Sequence, residues 1–569
     1  MNKVLILLAS ILIFAGCSSS GEKETVKGDE APNIIFILTD DQRWDALAYA
    51  GNEHIRTPEM DKLAQRGVYF KNAIASTPIC SASRASIFCG LHERTHRYTF
   101  QSGPIRSEFM EASYPKILKK EGYYLGFYGK FGVAYDSTGH LFDRCEVYDR
   151  NDDYDNYKGY FYKTLGADTV HLTRYTGEKA LEFIDQCPEE QPFCLSLSFS
   201  APHAHDRAEE QYFWQEVNNE LYEGVEMPGP ALSEDAWFEK LPLFVREGLN
   251  RTRWYWRYDT PEKYQHSVKG YYRMIRGVDM EIARIRKKLK EKGLEKNTVI
   301  MLMGDNGYFL GERQLAGKWL LYDNSIRVPL IIYDPRVKKH RDIDDMVMNI
   351  DVPATILELA GAERPGAWQG RSLVPVVSGT EESLHRDTIL IEHIWEYKDI
   401  PPSEGIRTPE WKYFRYVNDR SSVELYDLEN DPMEIVNLAG DTAYCEILQE
   451  LQNSCDRLIQ RYADPFSGTP TEMSVEPGLL PEYRWILPEA AGKQQAYQIL
   501  VASERSLVES NRGDVWNSGQ VRSDQTRRVV HGGDPLELNR TYYWKVRIWD
   551  QDNRHSEYSQ VQRFTSEGL

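Results

Sequence analysis

Long apolar runs are scarce in this chain. Only one stands out, Val4 to Gly16, and no other stretch reaches 18 apolar residues. Thirteen residues fall short of the roughly 20 needed to cross a hydrocarbon core of about 30 Å, so no membrane-spanning helix is expected. Positive charge is also short. Lys plus Arg number 68 against 87 Asp plus Glu, a net charge of −19. That deficit argues against a nucleic-acid partner, whose affinity rests on cationic contacts to phosphate. It also means that any anionic substrate must meet a local basic pocket set against the global field. Cysteine is sparse, with 8 in 569 residues and no C-x-x-C pair. Neither a dense disulfide framework nor a thiolate zinc site is therefore expected. Cys445 and Cys455 fall in one expected helix, about 15 Å apart and too far to bridge. What the chain does have is 41% apolar residues, enough for several cores, and a length that suggests three or four structural units.

The N-terminus reads Met1-Asn2-Lys3, an apolar stretch, then Cys17. A short charged start and a brief apolar run describe a signal peptide. Phe14-Ala15-Gly16-Cys17 resembles a bacterial lipobox, so export and lipidation at Cys17 are expected, with a Ser-rich tether over 18–30. That start implies an outer-membrane lipoprotein facing the cell surface or the periplasm.

Four short apolar runs each stop at a polar cluster. Asn33 to Leu38 stops at Thr39-Asp40-Asp41, and Tyr123 to Tyr128 at Gly129-Lys130. Phe193 to Phe199 stops at Ala201-Pro202-His203, and Thr298 to Met303 at Gly304-Asp305-Asn306-Gly307. Such runs read as strands buried on both faces of a mostly parallel sheet. Helical spacing lies between them, most clearly from Pro261 to Gly293. The alternation predicts an α/β domain whose ligands bind beyond the carboxyl ends of the strands. All four polar clusters sit at those ends.

Two constellations carry chemistry. Asp40-Asp41 and Asp305-Asn306 offer oxygen ligands alone, which suit a hard cation such as Ca²⁺, or Mg²⁺, rather than zinc. Either pair alone would read as a loop or helix cap; two at matched strand ends point to a metal. Cys80-Ser81-Ala82-Ser83-Arg84 places a thiol at a helix start with an Arg one turn on, the setting of an activated nucleophile. The alternative is a buried structural cysteine.

Cys80-x-Ala82-x-Arg84 resembles the type I sulfatase signature, in which the Cys becomes formylglycine. The family's other motifs follow in order: Pro32 to Asp41, Gly129-Lys130, Ala201-Pro202-His203, Gly304 to Gly307, Gly317-Lys318, and Ile326-Arg327-Val328-Pro329-Leu330. Leu425 to Pro432 resembles the family's C-terminal subdomain. The resemblance spans about Ala31 to Tyr462. It implies an alkaline-phosphatase-like α/β sandwich with a large mixed, mostly parallel sheet and a small antiparallel C-terminal subdomain. Asp40, Asp41, Asp305 and Asn306 would hold Ca²⁺ together with the modified Cys80. Formylglycine at 80, made by a formylglycine-generating maturation enzyme, would be hydrated, and one hydroxyl would attack sulfur to give a covalent sulfate ester. Arg84 would stabilise the hydrate. Lys130, His203 and Lys318 would grip the sulfate, with His203 or Lys318 protonating the leaving alcohol.

The chain departs from the family pattern twice. Lys130-Phe131-Gly132 stands where Lys-Trp-His is common, leaving His96, His140 or His205 as candidate bases for collapse of the hydrate. Gly311-Glu312-Arg313 replaces Gly-Glu-His, which suggests a cation for a second anionic group. Between His203 and the long helix, Arg251, Arg253, Trp254, Tyr255, Trp256, Arg257 and Tyr258 suit stacking on sugars beside anions, or else pack their aromatics inward. The acidic run Asp149 to Asp155 reads as a solvated loop.

From Pro481 the pattern turns all-β. Gln495 to Ala502, Asp514 to Val521 and Thr541 to Asp550 resemble the fibronectin-III-like domain that opens bacterial α-L-rhamnosidases, without the glycosidase barrel. The expected organisation is a signal peptide over 1–17, a tether over 18–30, and a catalytic domain over 31–385. A C-terminal subdomain over 386–462, a linker over 463–478 and a β-sandwich over 479–569 follow. Sulfatase and rhamnosidase pieces together point to a sulfated, rhamnose-containing polysaccharide such as ulvan, a link by association. A phosphoester or phosphonate hydrolase and a non-catalytic glycan-binding lipoprotein are the competing readings.

Overall fold

The computed structural model describes residues 31–100, 102, 104–148, 161–395, 397, 399–463, 470–487, 493–550, 555–556 and 558–566. The signal peptide, Cys17, the tether and the run Asp149 to Asp155 lie outside the described residues. Among the described residues no helix is long and apolar enough to cross a membrane.

Nine strands form the main sheet: β1 Asn33–Thr39, β2 Val68–Ile74, β3 Tyr124–Gly129, β4 Arg144–Val147, β5 Phe193–Ser198, β6 Thr298–Gly304, β7 Arg327–Val328, β8 Leu330–Tyr333 and β9 Arg341–Met348. Their order is β7-β2-β8-β6-β1-β5-β3-β4, with β9 also pairing β2. The four apolar runs become the adjacent strands β6, β1, β5 and β3, all parallel. β8 runs antiparallel to both its neighbours, so the sheet is mixed. Parallel neighbours share one carboxyl edge, and for that reason the four polar clusters converge.

Side-chain alternation explains the two cores. Ile34, Phe36 and Leu38 of β1 point to one face, against Ile87, Phe88, Tyr114 and Leu118. Ile35 and Ile37 point to the other, against Ile275, Val278 and Ile282. Both faces are covered by helices, so β1, β5 and β6 are buried at every position and mostly apolar on both faces. Four helices matter for the site and its surroundings: α1 Cys80–Cys89, α2 Leu249–Arg257, α3 Pro261–Glu291 and α4 Cys445–Tyr462. α3 starts with Thr260, whose side chain accepts from Lys263 N, and Pro261 at its first position, a sequence-legible start.

Four antiparallel strands, Ile389–His393, Ser403–Arg407, Trp411–Tyr416 and Val423–Asp427, form the C-terminal subdomain, followed by α4. α4 holds both Cys445 and Cys455. The final unit has a three-stranded and a five-stranded antiparallel sheet around Trp485, Ile499, Trp544 and Val546. The expected linker over 463–478 is corrected here. Thr471–Glu476 is a strand paired with Glu482–Ile486. Its Met473 and Val475 pack on that aromatic core, a period-2 pattern hidden by the Ser, Thr and Pro around it.

Candidate active site

β1 ends at Thr39 and delivers Asp40 and Asp41 to the carboxyl edge. Asp41 adopts a left-handed φ of 69°, which turns the chain beneath β6. Asp305 N donates to Thr39 O at 2.9 Å and Asp41 N donates to Asp305 Oδ1 at 3.1 Å, locking the two acidic pairs together. Asn306 Nδ2 donates to Asp41 Oδ1 at 2.7 Å. From α3, Tyr271 donates its hydroxyl to Asp41 O at 2.7 Å.

Cys80 is the first residue of α1 and is buried. Arg84, one turn on, is also buried. Its Nε donates to Asp305 Oδ2 at 2.9 Å and its Nη1 to Lys130 O at 2.7 Å, and also to Ser198 Oγ. Lys130 Nζ lies 2.6 Å from Asp40 Oδ2 and 3.6 Å from Cys80 Sγ. Lys318 Nζ donates to Asp41 Oδ1 and sits 3.8 Å from Asp40 Oδ1. His203 directs Nε2 to within 3.6 Å of Asp41 Oδ2, while its Nδ1 donates to Ala204 O at 2.5 Å. Three carboxylates, Asp40, Asp41 and Asp305, thus meet three cations, Arg84, Lys130 and Lys318, with the buried charges paired.

The field tunes each group. Burial alone would raise the Asp40 carboxyl, but Lys130, His203, Lys318 and Arg84 hold it well below the usual carboxylate range. Asp305 rises to about 6 through burial and its proximity to Asp40. Burial pushes His203 down to about 4. Lys318 is held above the usual ammonium value: burial opposes this, but Asp41 prevails.

The donor set fits a hard cation. Asp40, Cys80 and Asp305 can bring one ligand atom each within 4.8 Å of one another, as can Asp40, Asp41 and His203. Asp40 Oδ1 and Asn306 Oδ1 are buried and make no hydrogen bond, the state of oxygens whose partner is an ion.

Asp40, Asp41, Cys80, Arg84, Lys130, His203, Asp305, Asn306 and Lys318 come together here. Several supporting groups escape sequence reading. Ser198 ends β5 and braces Arg84. Ser83 Oγ donates to Asp305 O at 2.6 Å and receives Asn349 Nδ2 at 2.9 Å. Asn250 of α2 donates to both Ala316 O and Lys318 O at 2.9 Å. Ser198 alone had a signal, its place at a strand end beside the other clusters.

The departures from the family pattern also resolve. Gly132 has φ +73°, and a Cβ there would lie 2.6 Å from Arg84 Cδ, so this turn leaves no room for a side chain. Of the three candidate bases, His205 lines the cavity in front of Cys80. His96 is instead buried against Ser86 at 3.0 Å, and His140 is exposed on a short turn. Arg313 is not a substrate cation. It is buried, donates to Met433 O and Glu434 O, and stacks on Tyr322 with 4.5 Å to the ring centroid. It ties the two subdomains, and its charge is spent on carbonyls. The Arg and aromatic insert divides: Trp254 packs inward, whereas Arg253 and Trp256 line the cavity.

This alkaline-phosphatase-like sheet, with a thiol, three cations and an oxygen cage that could hold a metal ion at its edge, defines an ester hydrolase. The sulfatase family profile matches residues 32–362, and the chain belongs to that family of sulfate-ester hydrolases. A profile for the N-sulphoglucosamine sulphohydrolase C-terminal region matches residues 311–461. A third, the Rha78A-like N-terminal immunoglobulin domain, matches residues 479–568. The chain is 27% identical over 518 residues to an N-acetylglucosamine-6-O-sulfatase of Bacteroides thetaiotaomicron, covering 81% of this chain and 91% of that protein. It is 24% identical over 487 residues to an ulvan-active sulfatase of Formosa agariphila, covering 81% and 88% respectively. Among solved structures, a protein complexed with D-glucosamine-2-N,6-O-disulfate aligns with a TM-score of 0.64 at 24% identity, over 76% of this chain and 98% of that one. A phosphonate monoester hydrolase from Silicibacter pomeroyi aligns with a TM-score of 0.65 at 23% identity, over 78% and 98%. These two likenesses describe the fold.

Proposed function

We propose that this sulfatase removes sulfate from a carbohydrate, specifically from sulfated rhamnose residues of ulvan or a related polysaccharide. The observation that carries the chemistry is the position of Cys80. It heads α1 with Lys130 Nζ 3.6 Å from its sulfur, beside an oxygen cage with two unpartnered oxygens. Asp40, Asp41, Asp305, Asn306 and residue 80 would hold Ca²⁺, which would supply Lewis acidity, and Cys80 matured to formylglycine would supply a hydrated aldehyde nucleophile. The chain's own residues do the rest. Lys130 and Lys318 bind the sulfate oxygens and offset charge as it develops on them. Arg84, fixed by Asp305, Ser198 and the Lys130 carbonyl, orients residue 80. His203 spends its Nδ1 proton on Ala204 O, so its Nε2 faces the reacting group as an acceptor. Lys318, kept charged by Asp41, is the better placed donor to the leaving alcohol. The rhamnose assignment is supported by the Rha78A-like unit and by the ulvan-active relative.

Two further parts of the reading concern the whole protein: maturation by a formylglycine-generating enzyme, and export with lipidation at Cys17. Incorporation of labelled palmitate, lost in Cys17→Ala, tests the anchor. For the chemistry, protein co-expressed with a maturation enzyme is incubated with ulvan and free sulfate is measured, with matched phosphate esters as the control. Release from wild type and none from Cys80→Ala is expected. Turnover by protein whose residue-80 peptide carries only intact cysteine would overturn the mechanism.

A further inference from the structure

The sulfate-binding centre opens into a cavity of about 900 Å³ whose outer wall also carries charge. Besides Lys130 and Lys318, the lining includes Arg207 and Arg253, and among the described residues its one carboxylate is Asp206. In a protein of net charge −19, a wall with surplus positive charge is a local reversal of the field.

Asp206 does not cancel that surplus. Its Oδ1 accepts from Arg257 and its Oδ2 from Arg253, whose Nη2 stands at 2.7 Å and Nε at 3.2 Å. Two guanidinium groups therefore share one carboxylate. The trio keeps one net positive charge; Arg257 is 1% exposed, and of the two arginines Arg253 is the one that lines the cavity. Among the described residues Nη1 of Arg253 donates to no acceptor. It lies 3.4 Å from where a Cβ on Gly317 would stand, next in the chain to Lys318, and both Arg253 and Lys318 line the cavity. Arg207, four residues after His203, is exposed on the same wall. Trp256, one turn from Arg253, is 38% exposed, and Phe100 across the cavity is 45% exposed. Large apolar rings left open beside cations in a concave site suit the apolar face of a pyranose flanked by anions.

We infer that Arg253 and Arg207, with Trp256 as a stacking platform, form a subsite for a second anionic group carried by the sugar that bears the scissile sulfate or by its neighbour. This rests on the sulfatase reading above and deepens it: the substrate is a polyanionic saccharide, and neutral sugars bearing a lone sulfate are poor substrates. The second anion is a carboxylate or a sulfate, each matched by a guanidinium fork.

Two matched pairs distinguish the sources. One is ulvan oligosaccharide with its uronate intact against the same material after carboxyl reduction. The other is D-glucosamine-2-N,6-O-disulfate against D-glucosamine 6-O-sulfate. Each compound is assayed as a substrate or, where it is not turned over, as a competitive inhibitor of 4-nitrophenyl sulfate hydrolysis. In at least one pair, kcat/KM or 1/Ki for the doubly charged member should exceed the other by about tenfold or more, and that pair identifies the anion. Arg207→Ala and Arg253→Gln should each shrink that ratio toward unity. Ratios within twofold in both pairs for wild type, or a ratio unchanged in both variants, would overturn the subsite. Failure to release sulfate from any of these compounds, with aldehyde confirmed at residue 80, would instead count against the sulfatase chemistry itself.

Discussion

At the scale of single residues, the site is governed by paired buried charge. Arg84 holds Asp305, the Lys130 carbonyl and Ser198 at once. Arg84→Ala should destabilise the fold by about 3–5 kcal/mol, because Asp305 would be left buried and unpaired. It should also lower kcat by at least about a hundredfold. Denaturant midpoints and initial rates check both; a stable, active Arg84→Ala protein would refute the arrangement. Gly132 gives a less intuitive expectation. Gly132→His restores the residue commoner in the family, yet its Cβ would press on Arg84 Cδ at 2.6 Å from a left-handed backbone. The variant should lose kcat rather than gain it, and a gain in steady-state assays would show that the turn relaxes freely.

At the scale of elements, α2 acts as a strut. Asn250 sends both hydrogens of one amide nitrogen to the carbonyls of 316 and 318, and so fixes the backbone from which Lys318 projects. Asn250→Ala leaves two buried carbonyls unpaired, at a cost of about 1–3 kcal/mol. The looser Lys318 should depress kcat by about tenfold while KM changes less. If kcat and KM move together, α2 instead serves substrate binding. The strands themselves were legible, since β1, β3, β5 and β6 carry apolar residues on both of their faces. β8 was not, because nothing in Leu330 to Tyr333 indicates that it runs against its neighbours. Thr471–Glu476 was hidden by turn-forming residues on either side.

At the scale of the whole molecule, buried titratable groups set the pH range. Burial pushes His92, His96 and His393 down to about 3 and His171 to about 4. Below about pH 6.5 the unfolded chain binds protons that the folded chain refuses, so stability falls as the pH drops from there toward 3. Glu93 and Glu281 act in the opposite sense. Burial, joined for Glu93 by Glu392, pushes each up to about 8. The folded protein then keeps protons that the unfolded chain releases above about 4.5, and stability falls as the pH rises toward 8. A stability maximum near pH 6.5 is expected, with each group contributing on the order of 1 kcal/mol or more. Thermal melts from pH 4 to 9 check it. Glu93→Gln should flatten the alkaline decline, and an unchanged slope would remove Glu93 from this role.

The order of motifs, the apolar strands, the acidic pairs, the Cys80 to Arg84 helix start and the separate C-terminal sandwich were all fixed by local chemistry, since each depends on residues close in the chain. Which partners those groups meet was not. Arg313 read as a free cation and proved to hold carbonyls of 433 and 434. His96 and His140 read as equals of His205, yet only His205 reaches the cavity. Asp206, Arg253 and Arg257 are 47 and 51 residues apart along the chain, and no spacing rule joins them. Packing decided these cases, because charge pairing and burial are properties of space and not of sequence separation.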